Sequence, residues 1–218
     1  TASVAGRRWR CSVCGYIHAG DEPPEICPVC AAPKNQFVEI DGDGKKIGES
    51  SNAVPVSTPV PGPGAKAGKS LFNSFAQLVL KLHLHPITVH FPNGILPAVV
   101  VFLALSWFFN IVSLEVAAYY NLIAVLLMMP VVLLTGFIEW QKRYKGIKSM
   151  IFITKILCSL VVLGTTNVLV FWRLLDPTVM AENSPSRFVY LGVAVAMLAA
   201  AGIAGHLGGK LVFGTRNS

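Results

Sequence analysis

Apolar positions are sparse up to about residue 70 and dense from 87 to 207, so one chain is written for two environments. The stretch from Leu71 to Leu84, LFNSFAQLVLKLHL, is apolar at 71, 72, 75, 78, 79 and 82, which predicts a helix with one apolar face. It is too short to span a bilayer and carries Lys81 and His83, so an interfacial amphipathic helix over 71–86 is expected. Four longer apolar segments follow, from about Ile87 to Val112, Tyr119 to Trp140, Ile147 to Leu175 and Phe188 to Leu207. Each reaches the roughly 20 residues needed to cross a bilayer. Pro92, Pro97 and Pro130 fall inside them, which membrane helices tolerate better than soluble ones.

The polar part divides in two. Residues 1–42 form a compact unit rich in Cys and Pro. Residues 43–70, DGKKIGESSNAVPVSTPVPGPGAKAGKS, are rich in Pro, Gly and Ser and offer almost no large side chain to bury. As a coil this linker spans roughly 30 Å root-mean-square. It tethers the first unit near the membrane while leaving it free to move.

Composition sharpens the membrane reading. The chain is 53% hydrophobic and 13% charged, against about 25% charged in soluble domains. The net charge of +7 does not point to nucleic acid, because the basic residues flank apolar stretches and form no stripe interleaved with aromatics. Lys66, Lys69, Lys81, Lys142, Arg143, Lys145, Lys148, Lys210 and Arg216 gather on the side that holds both termini. Glu115, Arg173, Asp176, Glu182 and Arg187 occupy the other side. The positive-inside rule therefore predicts a multi-pass protein of the inner (cytoplasmic) membrane with both termini in the cytoplasm. No secretory signal peptide is expected, since the first long apolar segment starts far into the chain. Thr1 is small enough to follow a removed initiator Met, so a native amino end is expected.

Four of the five cysteines form two C-x-x-C pairs, Cys11/Cys14 and Cys27/Cys30. In a reducing compartment such pairs read as thiolate ligands rather than disulfides, and two knuckles aimed at one point make a tetrahedral four-sulfur metal site. Spacing alone does not separate a structural zinc ribbon from a redox iron. Cys158, alone in an apolar stretch, reads as a small buried hydrophobe.

The segment WRCSVCGYIHAGDEPPEICPVCAAPKNQFVEI resembles the short rubredoxin-like domain at the carboxyl end of rubrerythrins. The likeness runs from Trp9 to about Ile40 and includes Cys-Gly-Tyr, Pro-Glu before the second knuckle, Cys-Pro-x-Cys and Ala-Pro-x-x-x-Phe. It implies short β-hairpins and one iron held by Cys11, Cys14, Cys27 and Cys30, passing single electrons. It also implies an aromatic core of Trp9, Tyr16 and Phe37, with His18 at the surface. No di-iron domain with Glu-x-x-His pairs occurs, so the peroxidase chemistry of whole rubrerythrins is not implied.

Ionisable residues in membrane helices are costly and point to function. His90 opens the first long segment and His206 closes the fourth, so an up-and-down bundle brings both to similar depth. Imidazoles on facing helices could hold a haem b, with His85 as a further candidate. The fourth segment is small-sided from Gly192 to Gly205, which leaves room for close packing or a porphyrin. His83 is expected in the headgroup region. Glu139 and Lys155 face the same side and are candidate proton or quinone contacts, Glu139 having Arg143 in i,i+4 reach. HPITVHFPNGILP, GFIEW and GHLGGKLVFG resemble a family of small bacterial four-helix membrane proteins that itself resembles b-type cytochromes. That family commonly carries a further histidine early in its third helix, where Lys155 stands here.

The expected fold is thus a rubredoxin-like metal domain joined to an all-α four-helix transmembrane bundle over 87–214. The expected function is membrane-anchored electron transfer between a cytoplasmic partner protein, the rubredoxin iron and a haem b or quinone. The chain carries no flavin or nucleotide fingerprint, so it is expected to work as a subunit of a respiratory oxidoreductase complex. The alternative is a zinc-ribbon adaptor that docks or stabilises such a complex. A transporter fits less well, since neither internal repeats nor broken midplane helices are evident.

Overall fold

A computed structural model describes residues 7–41, 47 and 71–213. Most of the expected linker lies outside the described residues. The first unit is a three-stranded antiparallel sheet of β1 (Arg8–Cys11), β2 (Ile17–Ala19) and β3 (Phe37–Ile40) in the order β2-β1-β3. The middle strand β1 pairs Trp9 with His18 on one side and with Glu39 on the other. Trp9 Nε1 donates to the carbonyl of Gly20 at 3.0 Å, tying the open end of the β1–β2 hairpin. So small a sheet cannot bury enough apolar surface to hold itself, and its interior is largely the cysteine knuckles.

Five helices follow: α1 (Leu71–Lys81), α2 (Leu84–Phe109), α3 (Val112–Lys142), α4 (Met150–Leu175) and α5 (Arg187–Phe213). The last four are long and apolar enough to cross a membrane. Only 22–33% of the most apolar stretch of each is buried inside the protein. Leu127, Leu175 and Phe108 stand outward in the open, an arrangement that suits lipid and not water. The inner seam holds Leu96, Leu103, Leu122, Leu169 and Met197, all fully buried. The helices form a ring in which α2 packs on α3 and α5, and α4 on α3 and α5.

Element boundaries differ from the expected ones for local reasons. α2 begins at Leu84 rather than Ile87, because Pro86 sits in its first turn, where a missing N–H costs nothing. It ends at Phe109 because Asn110 takes the left-handed conformation, φ 52°, which Asn tolerates better than most residues. α4 begins at Met150 rather than Ile147. The preceding residues instead make a turn with Lys145 and Gly146 at φ 55° and 64°. Trp140 Nε1 fastens that turn by donating to the carbonyl of Ile147 at 2.9 Å. α1 is helical as expected. Ala76 and Val79 are buried with Ile138 of α3, while Phe75, Leu78 and Leu82 are exposed, consistent with an apolar face toward lipid.

Charges expected in the connections are instead built into the bundle end away from the metal domain. Glu115 lies in the first turn of α3 and Arg173 in the last turn of α4, and they form a two-pronged ion pair. Arg187 is buried and donates to the carbonyls of Ser106 and Trp107 and to Asn110 Oδ1, closing the carboxyl end of α2. An arginine there complements the negative end of the helix and satisfies carbonyls that have no intrahelical partner.

Candidate metal centre

Each knuckle is a tight turn closed by the same pair of backbone hydrogen bonds. In the first, Gly15 N donates to Cys11 O at 2.9 Å and Cys11 N to Tyr16 O at 2.7 Å. In the second, Ala31 N donates to Cys27 O at 2.9 Å and Cys27 N to Ala32 O at 2.7 Å. The turn requires a positive φ at the residue after the second cysteine. Gly15 supplies it at 82°, and Ala31 adopts it at 55° despite its Cβ.

The four sulfurs lie within 4.8 Å of one another. Cys11 and Cys30 are 3.8 Å apart, Cys14 and Cys27 3.6 Å. A tetrahedral ion with metal–sulfur bonds near 2.3 Å sets its ligands about 3.8 Å apart, so the donor set fits one metal ion. Cys11, Cys27 and Cys30 are buried, and Cys14 is half-buried. The four thiols hydrogen-bond one another, which holds Cys11 far below the usual thiol range and pushes Cys30 far above it. Trp9, Tyr16 and Phe37 pack on this cluster as expected, and His18 is half-exposed on β2.

The metal unit is seated on the bundle. Ser149 Oγ donates to the carbonyl of Cys30 at 2.6 Å in a buried bond. Ser149 is the residue before α4, and its hydroxyl makes no hydrogen bond to its own helix. Tyr144, Phe152 and Leu211 join the cysteines in one apolar cluster, with the Tyr144 and Phe152 rings 4.9 Å apart. Burial pushes the Tyr144 phenol up, against the opposing pull of the neighbouring Arg143. The α3–α4 turn, the start of α4 and the end of α5 thus form a receptor for the second knuckle. Ser149 and Tyr144 carry no sequence signal of this role.

The other expected site residues lie near the same bundle end. His85 Nδ1 is 3.3 Å from Thr135 Oγ1, which is 3.1 Å from Thr88 Oγ1. Gly136 makes room for His85, since a Cβ there would stand 2.8 Å from its Cε1. In the same way Gly205 faces Asn93, and Gly208 faces the Lys155 amine at 3.6 Å from its would-be Cβ. The short motifs of the four-helix family therefore pack against one another, with glycines receiving polar side chains. Glu139 accepts from Arg143 Nη1 at 3.2 Å. His90 and His206 occupy exposed positions on α2 and α5. The His90 Nδ1–H donates to the carbonyl of Pro86. His83 is exposed in the turn before α2.

Two family models match the chain. "Rubrerythrin, rubredoxin-like domain" covers residues 9–38, and "Predicted membrane protein (DUF2231)" covers residues 81–217. Reverse rubrerythrin-1 of Clostridium acetobutylicum is 49% identical over 39 residues, 18% of this chain and 22% of that protein. Rubrerythrin of Nitratidesulfovibrio vulgaris is 57% identical over 30 residues, 14% of this chain and 16% of that protein. A putative rubrerythrin of Methanocaldococcus jannaschii is 52% identical over 29 residues, 13% and 14% of the two chains. The chain thus spans about a fifth or less of the curated relatives it matches. No solved structure matches it. The sulfur geometry together with this likeness identifies a rubredoxin-type iron site.

Proposed function

Since the chain belongs to the DUF2231 family of predicted membrane proteins and carries a rubrerythrin-type rubredoxin-like domain ahead of it, we propose that it passes single electrons between a cytoplasmic redox protein and the membrane. The observation that carries this reading is the seat of the metal unit on the bundle through Ser149 and the Tyr144–Phe152 cluster. A free shuttle has no use for such a receptor; a fixed electron port does. Bound iron supplies a one-electron couple. The four thiolates hold it with little rearrangement, and the knuckle amides and buried apolar wall keep water from the second knuckle.

On the membrane side the acceptor is a haem b carried by His90 and His206, with His85 as a further ligand candidate, or a quinone met by Glu139 and Lys155. The orientation of the His90 ring supports the first, and the polar group of His85, Thr135 and Lys155 within an apolar bundle supports the second. The chain works as a subunit of a respiratory complex in the inner membrane, with both termini cytoplasmic.

Visible spectra of the purified protein, oxidised and reduced, test the reading. A rubredoxin-type absorption that bleaches on reduction is expected, with one iron per chain. A colourless protein with one zinc per chain overturns it in favour of an anchored adaptor. A sharp reduced alpha band assigns the acceptor as haem b; its absence leaves the quinone.

A further inference from the structure

The seat on the bundle divides the metal centre into two faces. The second knuckle is closed: Cys27 and Cys30 are 1% and 0% exposed, and the Cys30 carbonyl is taken by Ser149. The first knuckle is open. Cys14 is the half-buried ligand, and no atom lies within 4 Å of where a Gly15 Cβ would stand. Over it lies a cleft of about 380 Å³ lined by Arg10, Cys11, Cys14, Gly15, Val38 and Lys145 among others. Lys145 comes from the α3–α4 turn, so the cleft exists only while the metal unit is docked.

The charge around this cleft is one-sided. No carboxylate lines it. Among the described residues Arg10 and Lys145 have no ion pair or side-chain hydrogen bond. Three carboxylates of the metal unit are held elsewhere, Glu22 and Glu25 by Lys34 and Glu39 by Arg7. Lys142 and Lys148 lie beside the same turn and extend the positive field, while Arg143 is paired with Glu139. Unpaired cations rimming the accessible face of a redox centre attract negative charge and raise encounter rates with it.

We propose that the Arg10–Lys145 cleft is the docking surface for an acidic electron-transfer protein, which exchanges one electron with the centre across the first knuckle. This rests on the electron-port reading above. An aspartate or glutamate at the partner's contact face enters between the two cations, while its own redox group approaches Cys14 and the bare backbone of Gly15.

The test uses the full iron-loaded chain in lipid nanodiscs, with two donors followed by stopped-flow absorption. One is a reduced plant-type ferredoxin, an acidic protein that gives up one electron as the ferric centre becomes ferrous. The other is the methyl viologen radical cation, which makes the same one-electron reduction. At low ionic strength, Arg10→Glu with Lys145→Glu is expected to slow the ferredoxin reaction by roughly ten-fold or more, and added salt to narrow the gap. The viologen reaction is expected to be unchanged or faster. Lys145→Glu alone, which leaves the small sheet intact, is expected to give a smaller loss in the same direction. An iron-bearing protein whose ferredoxin rate ignores both variants overturns this proposal and leaves the electron port standing. A protein that holds zinc and accepts no electron from either donor overturns both.

Discussion

The two ends of the bundle treat charge in opposite ways. At the far end Glu115 is locked to Arg173, and Arg187 to the carbonyls of α2. At the near end Glu139 is paired with Arg143, but other polar groups are left without an ion pair among the described residues. Among the described residues Lys155 faces Gly208 with no ion pair, His85 Nδ1 lies against the Thr135 hydroxyl, and Lys145 of the α3–α4 turn stands unpaired beside the metal centre. The far end is a clamp that fixes helix ends by satisfying their polar groups within the protein. The near end is where the chain meets its metal unit, and there Ser149 is given to the Cys30 carbonyl.

Removing the metal breaks this comparison most severely. Cys30→Ser is expected to unfold the metal unit, because a closed thiolate site contributes on the order of 10 kcal/mol to so small a domain. Metal analysis should show the ion lost and proteolysis should cut the first forty residues, while the helical circular dichroism signal persists to the same melting temperature. If the bundle melts too, the two regions are not independent.

Glu115→Gln strikes the far end. It leaves the half-buried Arg173 guanidinium without its carboxylate partner, at a cost of about 1–3 kcal/mol. Thermal unfolding in detergent should shift down while iron content and visible absorption stay put. Glu115→Leu with Arg173→Met should recover most of the loss.

Gly136→Ala sets a Cβ against the His85 ring at the near end. Overpacking of this kind costs about 1–3 kcal/mol. The melting temperature should fall, with less effect when His85→Ala is combined with it. Ser149→Ala removes one buried hydrogen bond and is expected to weaken docking by on the order of 1 kcal/mol. A spin label on the metal unit and one on α4 should then report a broader distance distribution, with bundle melting unchanged. The smallest effect is a gain. Ala31→Gly relieves a left-handed conformation that costs a residue with a Cβ about 1–2 kcal/mol, partly offset by the entropy of glycine. Metal release should become slower by a few-fold or stay unchanged, and never faster.

The metal ligands were legible in the sequence because a knuckle is local: two cysteines three residues apart, with a residue after them that accepts positive φ, make the turn without help. The helices were legible because lipid requires about twenty apolar residues in a row, whatever the neighbours are. Their ends were less so. Pro86 opening α2, Asn110 closing it and the Trp140-fastened turn before α4 depend on single side chains that an apolar run does not reveal.

What lay beyond the sequence is every contact between elements. Ser149 is an ordinary serine until α4 sets it under the Cys30 carbonyl, 119 residues away. Gly136, Gly205 and Gly208 look like generic small residues until His85, Asn93 and Lys155 are placed against them. Glu115 and Arg173 read as loop charges until two helix ends meet. By itself the sequence determined a four-thiolate site and four membrane-length helices, because both follow from short-range rules of ligand spacing and backbone satisfaction. The tertiary structure alone decided which face of that site is sealed and which is open, because burial and pairing are properties of surfaces brought together by folding.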